Sequence, residues 1–345
     1  MSVKYLVTGA AGSLGSNIIR ILLEQGKDVR GLVLPGDPTV KYLPEGVELC
    51  EGDVLSVTDL QRFFAVPAGT EIIVIHSAGI VSTEWGYSRK VYSVNVHGTR
   101  NIVEQCLDAH VRRLVHISSV HAIPELPKGQ TITEVTSFNP DAIVGFYGKT
   151  KAEASQFVMD AVRERGLDAV IIFPSGMCGP GDFAGGYATQ LLIDSSNNKL
   201  PAGIQGGYDF ADVRDVAAGI VAACEHGRKG EGYILGNRFI SIKEMLRLVH
   251  EKIGARLVKC MVPPWVAKMA LPFFTIYYRI KKIRPIVNKY ALYTINSNAV
   301  FSIEKARREL GYKVRPFDET IADTLQWLKN VGKLCAKVPE GIPAS

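Results

Sequence analysis

Tyr147 and Lys151 stand four residues apart in the run YGKTK, a spacing that brings two side chains onto one face of a helix. A phenol with a pKa near 10 moves protons poorly at neutral pH, whereas an ammonium beside it favours the phenolate and lowers that value. The pair therefore reads as a proton-transfer couple, with Tyr147 as acid or base. Ser119, in HISSVHAI, supplies a hydroxyl able to hydrogen-bond a reacting oxygen. Its neighbour Ser118 would face the other way, because adjacent strand residues point to opposite sides.

A second constellation lies at the start of the chain, where Thr8-Gly9-Ala10-Ala11-Gly12-Ser13-Leu14-Gly15 follows an apolar run and precedes the amphipathic NIIRILLEQG. Glycine is needed where a backbone turns tightly or must approach a pyrophosphate, and the opening turn of a helix offers free N–H donors to that anion. Gly9, Gly12 and Gly15, with Ser13 and Leu14 between them, thus predict a nicotinamide dinucleotide site, spaced GxxGxxG rather than GxGxxG. The second strand, DVRGLVL, ends at Leu34, where an acid would select a ribose hydroxyl and an arginine a 2'-phosphate. Asp37, Arg30 and Lys41 surround that position, so NAD versus NADP stays open and the cofactor is NAD(P). Asp53 and Val54, in GDV, are placed at the adenine edge, with a turn or helix cap as the competing role for Asp53.

The elements that must position these groups alternate through the first 175 residues. Strands are predicted at 4–8, 28–34, 47–51, 72–77, 113–118 and 169–173, with helices at 14–25, 59–65, 92–109 and 146–165 between them. That order predicts an α/β fold: a doubly wound parallel Rossmann sheet with ligands at the carboxyl ends of its strands, and a smaller, mainly helical C-terminal substrate-binding lobe. Residues 1–175 and 208–236 are assigned to the dinucleotide-binding domain, and 176–207 and 237–345 to the lobe. The segments 179–186 and 202–207 read as loops over a pocket, and 209–227 as a return to a helical core pattern.

Composition narrows the function classes. The 345 residues are 47% hydrophobic and 21% charged, with a net charge of +6, an ordinary globular balance. No basic stripe or docking motif points to nucleic acid; the densest patch, Arg279, Lys281, Lys282 and Arg284, reads as solvated surface. Six scattered cysteines without CxxC or Cys/His spacing predict no metal site and free thiols in a reducing compartment. A strand and glycine loop open the chain where a signal peptide would stand, which makes cytoplasm the expected location. The apolar run from 261 to 280 is broken by prolines and Lys268, so no membrane span is expected. It reads as a buried cap or pocket wall carrying Trp265, Phe273, Phe274, Tyr277 and Tyr278, with a membrane-surface or dimer contact as the minority reading.

Taken with HSAG, NVHGT, PSGMCGPGD, DVRDVA and KARRELGY, these motifs make the chain resemble an extended short-chain dehydrogenase/reductase of the NAD-dependent epimerase/dehydratase group, along nearly its whole length. The resemblance implies Tyr147 as proton donor or acceptor, Lys151 as ribose-binding and pKa-lowering residue, and Ser119 as the group that orients the substrate oxygen. It also implies cofactor contacts around Ala78, Gly79, Pro174 and Ser175, and a place for Asn95 near the cofactor or in helix geometry. Val81, His121, Met177 and Cys178 are the expected substrate-pocket residues. Within the group, VRGLV, HSAG and the PSG loop look most like hydroxysteroid dehydrogenases and dihydroflavonol reductases, and His121-Ala122-Ile123 departs from the sugar-enzyme pattern. The implied activity is interconversion of a secondary alcohol and a ketone on an apolar small molecule, steroid-like or flavonoid-like. A nucleotide-sugar epimerase or dehydratase, and a non-catalytic NADP-binding redox sensor, are the alternatives. A homodimer is a further possibility that relatives suggest.

Overall fold

Runs such as Glu71–His76 (EIIVIH) and Ala169–Pro174 (AVIIFP) are apolar on both sides, as strands must be when helices cover both faces of a sheet. The computed structural model describes residues 2–83, 85–281 and 288–334, with the side chains of 274–281 outside that description. Its strands are β1 (Val3–Thr8), β2 (Asp28–Val33), β3 (Glu48–Glu51), β4 (Glu71–His76), β5 (Arg113–Ile117), β6 (Ala169–Pro174), β7 (Gly176–Cys178), β8 (Gly203–Ile204), β9 (Gly207–Asp212), β10 (Gly232–Leu235), β11 (Arg238–Ser241) and β12 (Met261–Val262). Seven of them form one parallel sheet in the order β10-β6-β5-β4-β1-β2-β3. The direction of winding reverses between β1 and β4, where such a sheet opens a crevice for ligands. Fold class and strand positions follow the sequence expectation to within a residue or two.

The helices are α1 (Ser13–Glu24), α2 (Val57–Phe64), α3 (Arg89–Tyr92), α4 (Thr99–Asp108), α5 (Phe146–Arg165), α6 (Tyr187–Ser196), α7 (Val213–His226), α8 (Ile242–Ile253), α9 (Pro264–Lys281), α10 (Lys289–Thr294), α11 (Glu304–Leu310) and α12 (Phe317–Asn330). One flanking layer is α1 on α7 on α11, the other α2 on α4 on α5. The single helix expected over 92–109 is interrupted: Ser93–Gly98 forms a π-helical turn between α3 and α4. An extra residue in a turn re-aims a side chain, and here Asn95 is directed at the loop after β4.

Among the described residues three hydrophobic clusters result, the smallest being Ile242, Leu246 and Val258. The large one joins the sheet to its helices and takes in Ala299, Ile303, Ala306, Leu310 and Tyr312. A smaller one packs Cys178 and Leu192 with Ile240, Met245, Val249, Phe317 and Leu325. A salt-bridge network fastens these two together: Arg214 reaches Asp212 and Asp323, both at 2.7 Å, and Arg315 reaches Asp215 at 2.8 Å.

Three expectations need correction. The segment read as helical from 209 begins as β9, paired with β7 and β11, and turns helical only at Val213, where Asp212 caps the Arg214 N–H. The 202–207 segment is not only loop, because β8 pairs with β12. The apolar 264–281 segment is a helix whose described outer face looks to solvent, not a buried cap. Ala267 is buried, whereas Trp265, Met269 and Phe273 stand exposed. The side chains of Phe274, Tyr277, Tyr278, Arg279 and Lys281, and residues Lys282, Arg284 and Cys335, lie outside the description. The other five cysteines are free, and among the described residues no helix is long and apolar enough to cross a membrane.

Candidate active site

The glycine loop sits where β1 hands over to α1, at the switch point of the sheet. Gly9 takes φ +64°, and a Cβ there would come 2.8 Å from the Ala78 backbone nitrogen. A Cβ on Gly15 would overlap the Gly9 carbonyl oxygen. Gly12 is the N-cap of α1 and contributes no side-chain acceptor, nor does the first turn carry an acid. The opening N–H groups of that helix, over Ser13, Leu14 and Gly15, therefore keep their donor capacity for an anion. A cradle with no side chains in it and donors aimed outward fits a dinucleotide pyrophosphate.

Tyr147 lies in the first turn of α5, Lys151 one turn on, and Ser119 just past the end of β5. The three converge, all buried to about the same degree at 6% exposure. The Ser119 side chain accepts from the His121 N–H at 3.2 Å and lies beside Tyr147, whose pKa it lowers, while Ser118 turns away to accept from Ser155 at 2.7 Å. Lys151 Nζ donates to the Ile117 carbonyl at 2.8 Å, and a Cβ at Gly79 would stand 3.2 Å from that ammonium. Bare backbone at Gly79 thus keeps Lys151 accessible from the crevice.

The electrostatics differ from the sequence expectation. Burial pushes Tyr147 up to about 12, with the Ser119 hydroxyl working in the opposite sense. Burial also takes Lys151 down to about 8. Low dielectric favours the neutral form of each group, and the ammonium is held by the end of β5, so it does not produce the expected lowering of the phenol. Beneath them lie two neutral imidazoles. His76, lowered to about 3 by burial and then by Lys151, is held by Thr8 and Thr99. His116, fully buried against it with ring centroids 5.6 Å apart, has neither nitrogen hydrogen-bonded.

An aromatic wall faces Tyr147. His121 meets its ring edge-on at 6.1 Å and stacks on Tyr208 at 5.4 Å. Tyr290, from α10, packs 5.8 Å from His121 and over Gly145, the N-cap of α5. Trp85 stands 6.2 Å from Tyr290, beside a hollow of about 440 Å³ that Gly145 and Phe146 also line. The Tyr290 hydroxyl is buried without a hydrogen-bond partner, as is the hydroxyl of Thr294 one turn on. Burial lowers His121 to about 4, so it is neutral at physiological pH and serves as a packed ring. Neither Tyr290 nor Tyr208 was legible as a site residue: neither belongs to a motif, and only the topology brings each to α5.

Other expected residues divide. Asn95 accepts from the Ile80 N–H at 2.8 Å and donates to the Ile80 carbonyl and Thr150. It braces the loop that holds Gly79 rather than pointing into the crevice. Ala78 donates its N–H to Thr8, and Asp53 accepts from Leu55 N as a turn residue, with Val54 buried behind it. Leu34 is 55% exposed just beyond β2. Around it Asp37 bonds Thr39, Arg30 bonds Glu48 and the carbonyls of Phe63 and Ala65, and Lys41 lies over the Tyr42 ring. Among the described residues the charged groups around Leu34 are thus engaged within the protein, which leaves NAD and NADP undivided. Pro174 ends β6 and Ser175 follows, its N–H on Leu235. Of the expected pocket residues, Val81 is exposed and Met177 is half-buried against the large core. Cys178 is corrected: β7 turns it the opposite way from Met177, into the smaller core, where burial takes its thiol up to about 12.

Residues 5–236 match the model of the NAD dependent epimerase/dehydratase family. Along 95% of its length the chain is 29% identical to sterol demethylase protein B of Methylococcus capsulatus, of which 99% is covered. It is 31% identical to a putative dihydroflavonol 4-reductase of Synechocystis, covering 96% of each. Among solved structures it resembles a Thermus thermophilus UDP-glucose 4-epimerase in complex with NAD, with a TM-score of 0.72 over 94% of this chain and 99% of that one at 22% identity, a likeness of fold.

Proposed function

The chain belongs to the NAD dependent epimerase/dehydratase family and is an NAD(P)-dependent enzyme of the extended short-chain type, and from that premise we propose that it interconverts a secondary alcohol and a ketone on an apolar, steroid-like or flavonoid-like molecule. The observation that carries this reading is the meeting of the Ser119 and Tyr147 hydroxyls under a wall of ring faces. Gly9, Gly12 and Gly15 would hold the pyrophosphate, and Lys151, next to Gly79, the nicotinamide ribose. When bound, the nicotinamide supplies or accepts the hydride. Ser119 orients the substrate oxygen by hydrogen bonding, and Tyr147 gives that oxygen its proton or takes it away. At neutral pH Tyr147 is a phenol, the form that protonates a nascent alkoxide in the reductive direction; in the oxidative direction it takes that proton back.

Trp85, exposed beside the hollow that Gly145 and Phe146 line, and half-buried His121 offer apolar faces on which a flat polycyclic substrate could lie, with Tyr208 and Tyr290 packed behind them. The names of the sterol and dihydroflavonol relatives agree with that chemistry. In the proposed division the sheet domain, 1–175 and 208–236, carries the cofactor and the remaining chain the substrate, with 299–312 packed on the sheet side. The dispersed cysteines support a cytoplasmic location.

The test is to follow the reduced nicotinamide band at about 340 nm while purified enzyme meets NAD(P)+ with hydroxysteroids and NAD(P)H with dihydroflavonols. Turnover of one of them supports the reading. Epimerisation of UDP-glucose on tightly retained cofactor, with no net change in the band and no turnover of the apolar panel, would overturn it.

A further inference from the structure

Helix α9 carries its apolar residues on the wrong side for a core. Trp265, Met269 and Phe273 recur every fourth position, so they form one stripe, and they are 66%, 70% and 75% exposed. Pro272 and Lys268 share that face, while Ala267 turns inward. Scattered single apolar side chains on a surface call for no explanation, but three large ones in register on one helix do.

Charge supplies the second observation. Between Glu251 and Glu304 the sequence has no Asp or Glu and nine Lys and Arg, more than the +6 net charge of the whole chain. Of the five whose side chains are described, three are engaged within the fold: Lys252 with Asp318, Arg256 with the Leu200 carbonyl, and Lys289 over the Trp85 ring. The other six, Lys259, Lys268, Arg279, Lys281, Lys282 and Arg284, fall in sequence within the stripe or close on either side of it. A Trp/Met/Phe stripe in a segment whose charges all have one sign is the pattern of a helix that lies in the headgroup region of an anionic bilayer.

We propose that α9 docks the enzyme, in the plane of the surface, on membranes containing anionic phospholipid. A second copy of the chain is a poorer occupant, since it would oppose two basic segments, and a stripe of three side chains is small beside the roughly 800 Å² per partner of a stable interface. Because α9 packs on α10, which carries Tyr290 into the site, the docked face lies one helix away from the aromatic wall. An apolar substrate dissolved in the bilayer would enter from that side. The docking itself does not depend on the proposed reaction.

Full-length protein is mixed with vesicles of phosphatidylcholine alone or with phosphatidylglycerol, and bound protein is measured by sedimentation. At low salt the anionic vesicles are expected to retain at least about tenfold more protein, an excess that falls as salt screens the charges. The tryptophan emission should shift to the blue on binding in wild type but not in Trp265→Phe. The double variant Trp265→Ser/Phe273→Ser, altered only at exposed positions, should lose vesicle binding while keeping its circular dichroism and its dinucleotide affinity. Equal retention by neutral vesicles, no retention by either, or undiminished binding of the double variant would each overturn the proposal. So would a dimer by light scattering that the double variant abolishes, which would make the occupant a second copy.

Discussion

Gly145 and Tyr290 share a space that only a glycine leaves open: a Cβ on Gly145 would overlap the Tyr290 ring, and Gly145 itself sits at φ +85°, ψ 143°. The N-cap of the helix that presents Tyr147 is thereby locked to an aromatic residue of the C-terminal region. Gly145→Ala is expected to lower stability by about 1–3 kcal/mol. In a Tyr290→Ala background the steric part of that loss disappears and the backbone part stays. Denaturant melts of the four proteins in this cycle would measure the coupling; additive effects would refute the contact.

Tyr147→Phe removes the proton and little volume. Its turnover should fall by roughly 10²- to 10⁴-fold, the usual range for loss of a general acid or base, while dinucleotide affinity stays within a factor of about three. Ser119→Ala should lose less, and should move the alkaline limb of the pH–rate profile upward, because the Ser119 hydroxyl beside it holds Tyr147 down. Steady-state kinetics with cofactor titrations separate the two effects.

Lys151 carries a cost that depends on pH. Burial depresses its pKa from 10.5 to about 8, so between those values the unfolded chain binds more protons and stability rises with pH. Below about pH 8 the full penalty applies; above about 10.5 it is gone. Lys151→Met, inactive by the reading above, should therefore be more stable than wild type at pH 7, by about 2 kcal/mol after the lost Ile117 hydrogen bond is subtracted. That advantage should narrow from pH 8 to 10. Melting curves across this range check the sign, and a wider gap at high pH would contradict it.

His116 is fully buried, and neither ring nitrogen has a partner. An orphaned buried polar group costs about 1–3 kcal/mol, so His116→Leu should raise the melting temperature at pH 7. Its pKa is held below the ordinary value by burial, then by Lys151 and His76. Wild type accordingly loses stability as pH falls below 6.5, because the unfolded histidine takes up a proton and the folded one does not. The leucine variant should lose less over the same range. Thermal melts between pH 7 and 5 decide this.

The sheet was readable because its strands are unbroken apolar runs and because the glycine loop marks where the first of them ends. α5 was readable to the residue, with Gly145 before it and Gly166, in the left-handed conformation, after it. That Ser118 and Ser119 face opposite ways followed from strand alternation, and Ser118 indeed turns to Ser155. What could not be read were features set by distant packing. The π turn at Asn95 depends on the Ile80 loop, and β9 becomes a strand because β7 and β11 flank it. The burial that raises the Tyr147 pKa could not be read, because spacing on a helix reveals proximity but not burial. Cys178 was misplaced because sequence does not say which core a short strand faces. The outward stripe on α9 was hidden for the same reason: hydrophobicity alone does not distinguish a wall from a surface.

Hydride delivery to an apolar ketone is tested most directly by isotope transfer. The enzyme is incubated with nicotinamide cofactor deuterated at the transferable position and with a ketone from the steroid or dihydroflavonol panel that it turns over, and the product is examined by mass spectrometry. One deuterium on the carbinol carbon is expected from wild type, and almost none from Tyr147→Phe in the same time. Product without deuterium, or equal labelling by the phenylalanine variant, would contradict the account.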